Sequence, residues 1–415
     1  MEYAVFTEEM KKDYKILVPT MLPIHFEMLI GVLKKYGYNA ELLKTDHEGI
    51  KEYGLKYVHN DTCYPAQVVI GQLIDAIENG GYDKHKVALM ITQTGGGCRA
   101  SNYISLLRKA LSNAGYGYIP VISINFSGLD DSALKITAPM LKRFLYALMF
   151  GDLIMCLKNQ CIPYEVEKGE TERVSTQYIN EIVEIITQDK IDKKRIKKEY
   201  QIIINAFKNI KLDKSSPKLK VGVVGEIFVK FSPLGNNDLE KLLVENDGEV
   251  VMGGLLDFCM YCIYNNVLDH KLYGIGKLKA FVYHLVYKYA LAKQRFLIKV
   301  IKKNSDFVPP SYFEDTVKAV KDYISLGVKM GEGWLLTAEM LELINMGVKS
   351  IVCTQPFGCL PNHIVGKGMI KIIKENNPDV NIVPIDYDAS ASKVNQENRI
   401  KLMMASGREN VTHTV

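Results

Sequence analysis

No apolar run in this 415-residue chain is long. Runs such as Ala147-Leu-Met-Phe150 and Val221-Gly-Val-Val-Gly225 fall far below the ~18–20 residues of a spanning helix. The opening MEYAVFTEEMKKDYK has no basic leader followed by an apolar stretch and a cleavage site. With a mean hydropathy of −0.02, these absences predict a soluble, cytoplasmic protein with no membrane partner. A large charge excess is also missing. The net charge is +5 from 52 basic and 47 acidic residues, whereas nucleic-acid binders concentrate charge on one face, so no nucleic-acid partner is expected. The one dense basic stretch, Lys190-Ile-Asp-Lys-Lys-Arg-Ile-Lys-Lys198, reads as the solvated face of a helix, with an anionic partner such as a phosphorylated cofactor left open. Glycine and proline number only 31 and 14, ordinary for a globular chain, which excludes collagenous and low-complexity classes.

Strand-like and helix-like segments alternate. Lys15-Ile-Leu-Val-Pro19 reads as a strand and residues 24–36 as a helix. Tyr38–Leu43 is a strand, 65–78 a helix, Lys86–Thr92 a strand, 102–114 a helix and Ile119–Ile124 a strand. Residues 130–215 are mostly helical and end at Lys214-Ser-Ser-Pro217. The pattern restarts with Leu219–Gly225, is interrupted by a helical, Tyr-rich insertion near 257–302, and closes with a helix at 333–346, a strand at 348–353, a helix at 362–374, a strand at 380–385 and a helix at 392–404. Strands alternating with long helices mark α/β architecture with doubly wound parallel sheets. The expected division is an N-terminal α/β domain at 1–130, a helical connection at 131–216, and a C-terminal α/β domain at 217–415 with its insertion near 257–330.

Eight cysteines in a chain able to build its own core point to reduced thiols rather than a disulfide framework. Cys259 and Cys262 form a CxxC, but they sit in the apolar, aromatic run Asp257–Tyr264 and read as buried small hydrophobes. Cys156 also reads as packing, and Cys161 is ambiguous. Cys63 (His59-Asn-Asp-Thr-Cys-Tyr-Pro65), Cys98 (Thr92-Gln-Thr-Gly-Gly-Gly-Cys98), Cys353 and Cys359 (Cys353-Thr-Gln-Pro-Phe-Gly-Cys359) differ, because each lies beside or near Gly or Pro. They are expected in loops at element ends. There, beyond the carboxyl ends of strands, α/β sheets bind their ligands.

Gly95-Gly-Gly-Cys98 lacks GxxxxGK[ST] and GxGxxG spacing, so a nucleotide loop is the weaker reading. Thiolates suit zinc or iron–sulfur clusters, and structural zinc favours tight C-x₂₋₄-C pairs. Single cysteines spread over both halves of the chain better suit a cluster held between domains. Scattered structural cysteines are the alternative. Glu226, Lys230 and Asn236 with Asn237 fall at another strand end, where they bind a ligand or cap the following helix. His363 is either a donor to the site or an ordinary loop histidine. Asp386-Tyr-Asp388 lies where the last strand meets its helix.

His59-Asn-Asp-Thr-Cys-Tyr-Pro-Ala66, Thr92-Gln-Thr-Gly-Gly-Gly-Cys-Arg-Ala-Ser-Asn-Tyr103, Gly222-Val-Val-Gly-Glu-Ile227, Gln355-Pro-Phe-Gly-Cys-Leu-Pro-Asn-His363 and Ile385-Asp-Tyr-Asp388, with Asn395 to Leu402, together resemble the activase-related proteins of the 2-hydroxyacyl-CoA dehydratase system. That family is similar to the dehydratase subunits and double-cubane cluster proteins. The resemblance implies a two-lobed α/β fold with a [4Fe–4S] or double-cubane [8Fe–9S] cluster between the lobes. It implies Cys63, Cys98 and Cys359 as ligands, with Cys353 fourth. It further implies low-potential electrons from an ATP-dependent activase, reduction or radical dehydration of a small substrate such as an acyl-CoA, and a homo- or hetero-dimer. No DxGxT-type phosphate motif is present, so the chain does not resemble the ATP-hydrolysing activase itself. A non-catalytic electron-transfer or scaffold subunit and a nucleotide-binding enzyme are the competing functions.

Overall fold

The computed structural model describes residues 3–93, 97–125, 134 and 136–412. The chain is α/β, with two four-stranded, all-parallel sheets. The first comprises β1 (Lys15–Val18), β2 (Ala40–Leu42), β3 (Val87–Gln93) and β4 (Val121–Asn125) in the order β2-β1-β3-β4. The second comprises β5 (Leu219–Gly225), β6 (Gly248–Val251), β7 (Ser350–Pro356) and β8 (Asn381–Tyr387) in the order β6-β5-β7-β8. The central strands read as continuous apolar runs because helices cover both faces of a parallel sheet. Pro384 is tolerated because β8 is an edge strand.

Two strand assignments differ from the sequence pattern. β6 was hidden because Gly248-Glu-Val-Val251 is short and half polar. β7 does not stop near Val352 but continues to Pro356, because Thr354 and Gln355 pair in register with Ile385 and Asp386 of β8. Cys353 is therefore a mid-strand residue and not a loop thiol.

The expected helical connection forms three helices, Ala138–Cys161, Glu170–Thr187 and Lys193–Lys208. Thr137 and Asp192 cap the first and third by accepting from Met140 N–H and Lys194 N–H. The insertion is a helical hairpin, Leu255–Tyr273 and Lys277–Asn304. Asp152 anchors its start by accepting Leu255 N–H at 2.8 Å and Leu256 N–H at 3.0 Å, with His25 Nε2 2.7 Å away. Hydrophobic packing joins the two sheets. Ile16 and Ile351 belong to one buried cluster, and Leu17 and Val352 to another, so successive residues of one strand feed opposite layers. Among the described residues no helix is long and apolar enough to cross a membrane.

Candidate thiol site

Three cysteines distant in sequence come together beyond the carboxyl ends of β3, β5 and β7. Cys63 precedes the helix Tyr64–Asn79, which Pro65 starts and which is buried over nearly its whole length. Its Sγ lies 3.0 Å from Tyr103 Oη. Cys98 opens the turn Arg99–Asn102, and Ala100 N–H donates to its Sγ at 3.5 Å. Cys359 follows β7 after the turn at Gly358.

Backbone contacts fix these segments against one another. Tyr64 N–H donates to Phe357 O at 3.0 Å. Gly358 has φ +73, and a Cβ built there would stand 3.1 Å from Cys63 Cα. Gly331, at φ +59, is similarly wedged, since its Cβ would lie 3.0 Å from Pro361 Cγ and 3.7 Å from Cys98 Sγ. Both positions combine a left-handed backbone with a close approach, which together demand glycine. The Cys359 loop thus rests on Cys63, and Gly331 lies between Cys98 and Pro361.

Two buried carboxyls accompany the thiols. Glu226 Oε2 accepts Val229 N–H at 2.9 Å and Glu332 Oε1 accepts Ile227 N–H at 3.1 Å, so both grip the first turn of the helix Ile227–Phe231. Burial, followed by the charge of Glu332, pushes the Glu226 carboxyl up to about 8. Burial also raises Glu332. Burial thus favours the protonated form of both carboxyls.

The same burial sets the state of the thiols. Desolvation raises Cys63 against the opposing pull of the Tyr103 hydroxyl and Ala66 N–H. Cys98 is pushed up to about 11, with Glu332 and Cys63 adding to the burial cost. Cys359 is raised further by burial, Glu332, Glu226 and Cys98. Reactive nucleophilic cysteines need the opposite shift. These three are neutral thiols until a cation displaces their protons, as metal coordination does.

The other candidates are placed elsewhere. Cys353 is fully buried inside β7, with its Sγ 3.8 Å from Asn362 Oδ1 and beside Gly366. Lys230 is buried, and its Nζ donates to Glu339 Oε1 at 2.9 Å. Asn236 caps locally, with Nδ2 donating to Val229 O and Oδ1 accepting Leu239 N–H. His363 is exposed above the Cys359 loop, 2.7 Å through Nδ1 from the Cys359 carbonyl. That contact puts a proton on Nδ1, because a carbonyl oxygen can only accept. Asp388 accepts from Ser390 N–H in the turn before the closing helix. Cys262 is exposed and Cys259 partly so. The CxxC is therefore not core packing, because its apolar run lies on a helix with an outward face. Residues 94–96 of the Gly95–Gly97 loop lie outside the described residues.

Sequence reasoning missed Tyr103, Glu332 and Gln355. Tyr103 ends the TQTGGGCRASNY segment, so its proximity to the motif was a usable signal. Glu332 carries none, since an acid between two glycines resembles any surface turn. Gln355 is fully buried at the end of β7, and neither its Nε2 nor its Oε1 has a partner among the described residues. A buried amide in that state calls for a polar group to meet it. Among the described residues no three His, Cys, Asp or Glu side chains are close enough to share one metal ion. A cluster spreads its ligands over several irons and spaces them more widely. No family model matches the chain, and no curated protein matches it.

Proposed function

We propose that the chain is an iron–sulfur protein related to the 2-hydroxyacyl-CoA dehydratases. In this reading it accepts low-potential electrons from an ATP-dependent activase and uses them to reduce, or dehydrate by a radical route, a small substrate such as an acyl-CoA. The observation that carries it is the meeting of Cys63, Cys98 and Cys359 beyond the ends of β3, β5 and β7, where burial raises all three thiols.

Cys63, Cys98 and Cys359 would hold a [4Fe–4S] or larger cluster. When bound, such a group supplies one-electron reduction and, at an iron without a protein thiolate, a Lewis acid for a substrate oxygen. The protein's part is positioning and proton control. Cys63 and Cys98 stand at helical starts, where backbone N–H groups favour negative sulfur once the proton has left. Glu226 holds a proton that can be handed to a departing or newly formed anion beside the thiols. The unpartnered Gln355 amide supplies a donor and an acceptor for a polar ligand.

The burial of Cys353 within β7 favours this reading over a simple electron carrier, which would use four thiolates. Purification without air, followed by iron and acid-labile sulfide analysis, tests it. Comparable amounts of iron and sulfide are expected, and stoichiometric zinc without sulfide would contradict it.

A further inference from the structure

Each of the three sulfurs meets a backbone N–H, that of Ala66 at Cys63, Ala100 at Cys98 and Asn362 at Cys359. Among the described residues only Cys63 also meets a side-chain hydroxyl, with Tyr103 Oη 3.0 Å from its Sγ. Tyr103 opens the helix Tyr103–Asn113, and its ring packs in the same apolar cluster as Cys63, Ile104 and Leu107. Phenylalanine would fill that space equally well, so packing accounts for the ring and not for the oxygen. Among the described residues the hydroxyl has no hydrogen-bond partner besides Cys63.

A buried hydroxyl is costly unless a partner meets it. A neutral thiol is a poor partner, because its sulfur donates and accepts only weakly. A thiolate is a good one, since a hydrogen bond to an ionised group is roughly twice as strong as one between neutral groups. Phenol and thiol side by side are thus an unequal match that improves once a cation displaces the Cys63 proton. The sulfur can then only accept, and the shared hydrogen belongs to Tyr103. The segment that carries Tyr103 is tied down on both sides of it. Ser101 Oγ donates to Cys98 O at 2.7 Å, and Gln93 Nε2 donates to Ser101 O at 2.6 Å. Arg99 reaches across to the Asp61 carbonyl, two residues before Cys63. One turn therefore offers a sulfur of its own, Cys98, and a donor to the sulfur of another segment.

On the iron–sulfur reading of this site, we propose that Tyr103 sets the potential of the bound group by donating its hydroxyl hydrogen to the Cys63 sulfur. A donor draws negative charge off the sulfur and favours the reduced, more negative state, so electrons are accepted at a higher potential than the sulfur alone would allow. The low dielectric around a buried pair strengthens the effect. Tyr103 acts through Cys63 and not on the substrate.

The test uses the full chain, reconstituted without air with iron and sulfide and titrated with reductant while its visible absorption is followed. Tyr103→Phe should retain the wild-type amount of iron and shift the potential downward. A ring-fluorinated tyrosine at position 103, a more acidic phenol and a stronger donor, should shift it upward. Arg99→Ala cuts the tie to Asp61 and leaves the hydroxyl in place, so it should leave the potential unchanged. If Tyr103→Phe loses its iron, the fluorinated chain decides, because it keeps the ring and its packing. Wild-type iron with no upward shift in the fluorinated chain overturns the inference alone, as does a fall in Arg99→Ala equal to that in Tyr103→Phe. A wild-type chain that takes up no iron and sulfide overturns the proposed function and this inference with it.

Discussion

The two sheets share one strand order, β2-β1-β3-β4 and β6-β5-β7-β8, so each residue at a strand end has a topological counterpart in the other half. Cys98 follows the third strand of the first sheet, and Cys359 follows the third strand of the second. The helix leading into each third strand offers another pair. Cys63 precedes Tyr64–Asn79, whereas Glu332 precedes Trp334–Asn345. The N-terminal half therefore contributes two sulfurs to the meeting point, and the C-terminal half one sulfur and two carboxyls, Glu332 and Glu226. Equivalent backbone positions therefore carry a sulfur in one half and a carboxyl in the other.

The largest effect expected from this comparison is on metal content. On the proposed reading, Cys98→Ser and Cys359→Ser should each reduce iron retained under anaerobic isolation to about a tenth or less of wild type, by an equal margin, since each would remove a ligand rather than an outer-shell partner. A loss confined to one of the two would break the equivalence. Cys353→Ser should leave iron unchanged while lowering stability by about 1–3 kcal/mol in denaturant titration, because it leaves a hydroxyl in the interior of β7 without a good partner.

Glu226 sharpens the carboxyl side. Its folded pKa, about 8, lies above the ordinary value of 4.5, so between those values the folded chain binds a proton that the unfolded chain has released. In the metal-free protein this group's share of stability falls as pH rises through that window. Glu226→Gln should flatten the decline, seen as a smaller difference between unfolding midpoints at pH 5 and pH 8. The smallest effect belongs to Cys262→Ser, on the exposed side of the insertion, which should change stability by no more than about 0.5 kcal/mol and leave iron untouched.

The repeated strand–helix alternation was legible because fully buried parallel strands appear as apolar runs, and β1, β3 and β5 do so unmistakably. Flanking turn residues marked Cys63, Cys98, Cys353 and Cys359 together, and the structure puts all but Cys353 at element ends. Cys353 was misplaced because Thr354, Gln355 and Pro356 look like a loop, and only pairing with β8 carries them into the sheet. Glu332 could not be valued from sequence alone. An acid near a glycine acquires meaning only when its neighbours are known. The CxxC shows the converse, since an apolar run gave no sign of which of its faces points outward.

Two triple variants, reconstituted anaerobically with iron and sulfide, test the central claim most directly. In one, Cys63, Cys98 and Cys359 are replaced by serine, and in the other Cys156, Cys259 and Cys353. The first should retain almost no iron after desalting, and the second should retain the wild-type amount with an unchanged visible absorption spectrum. Equal retention by the two, or loss from the second alone, would contradict the account.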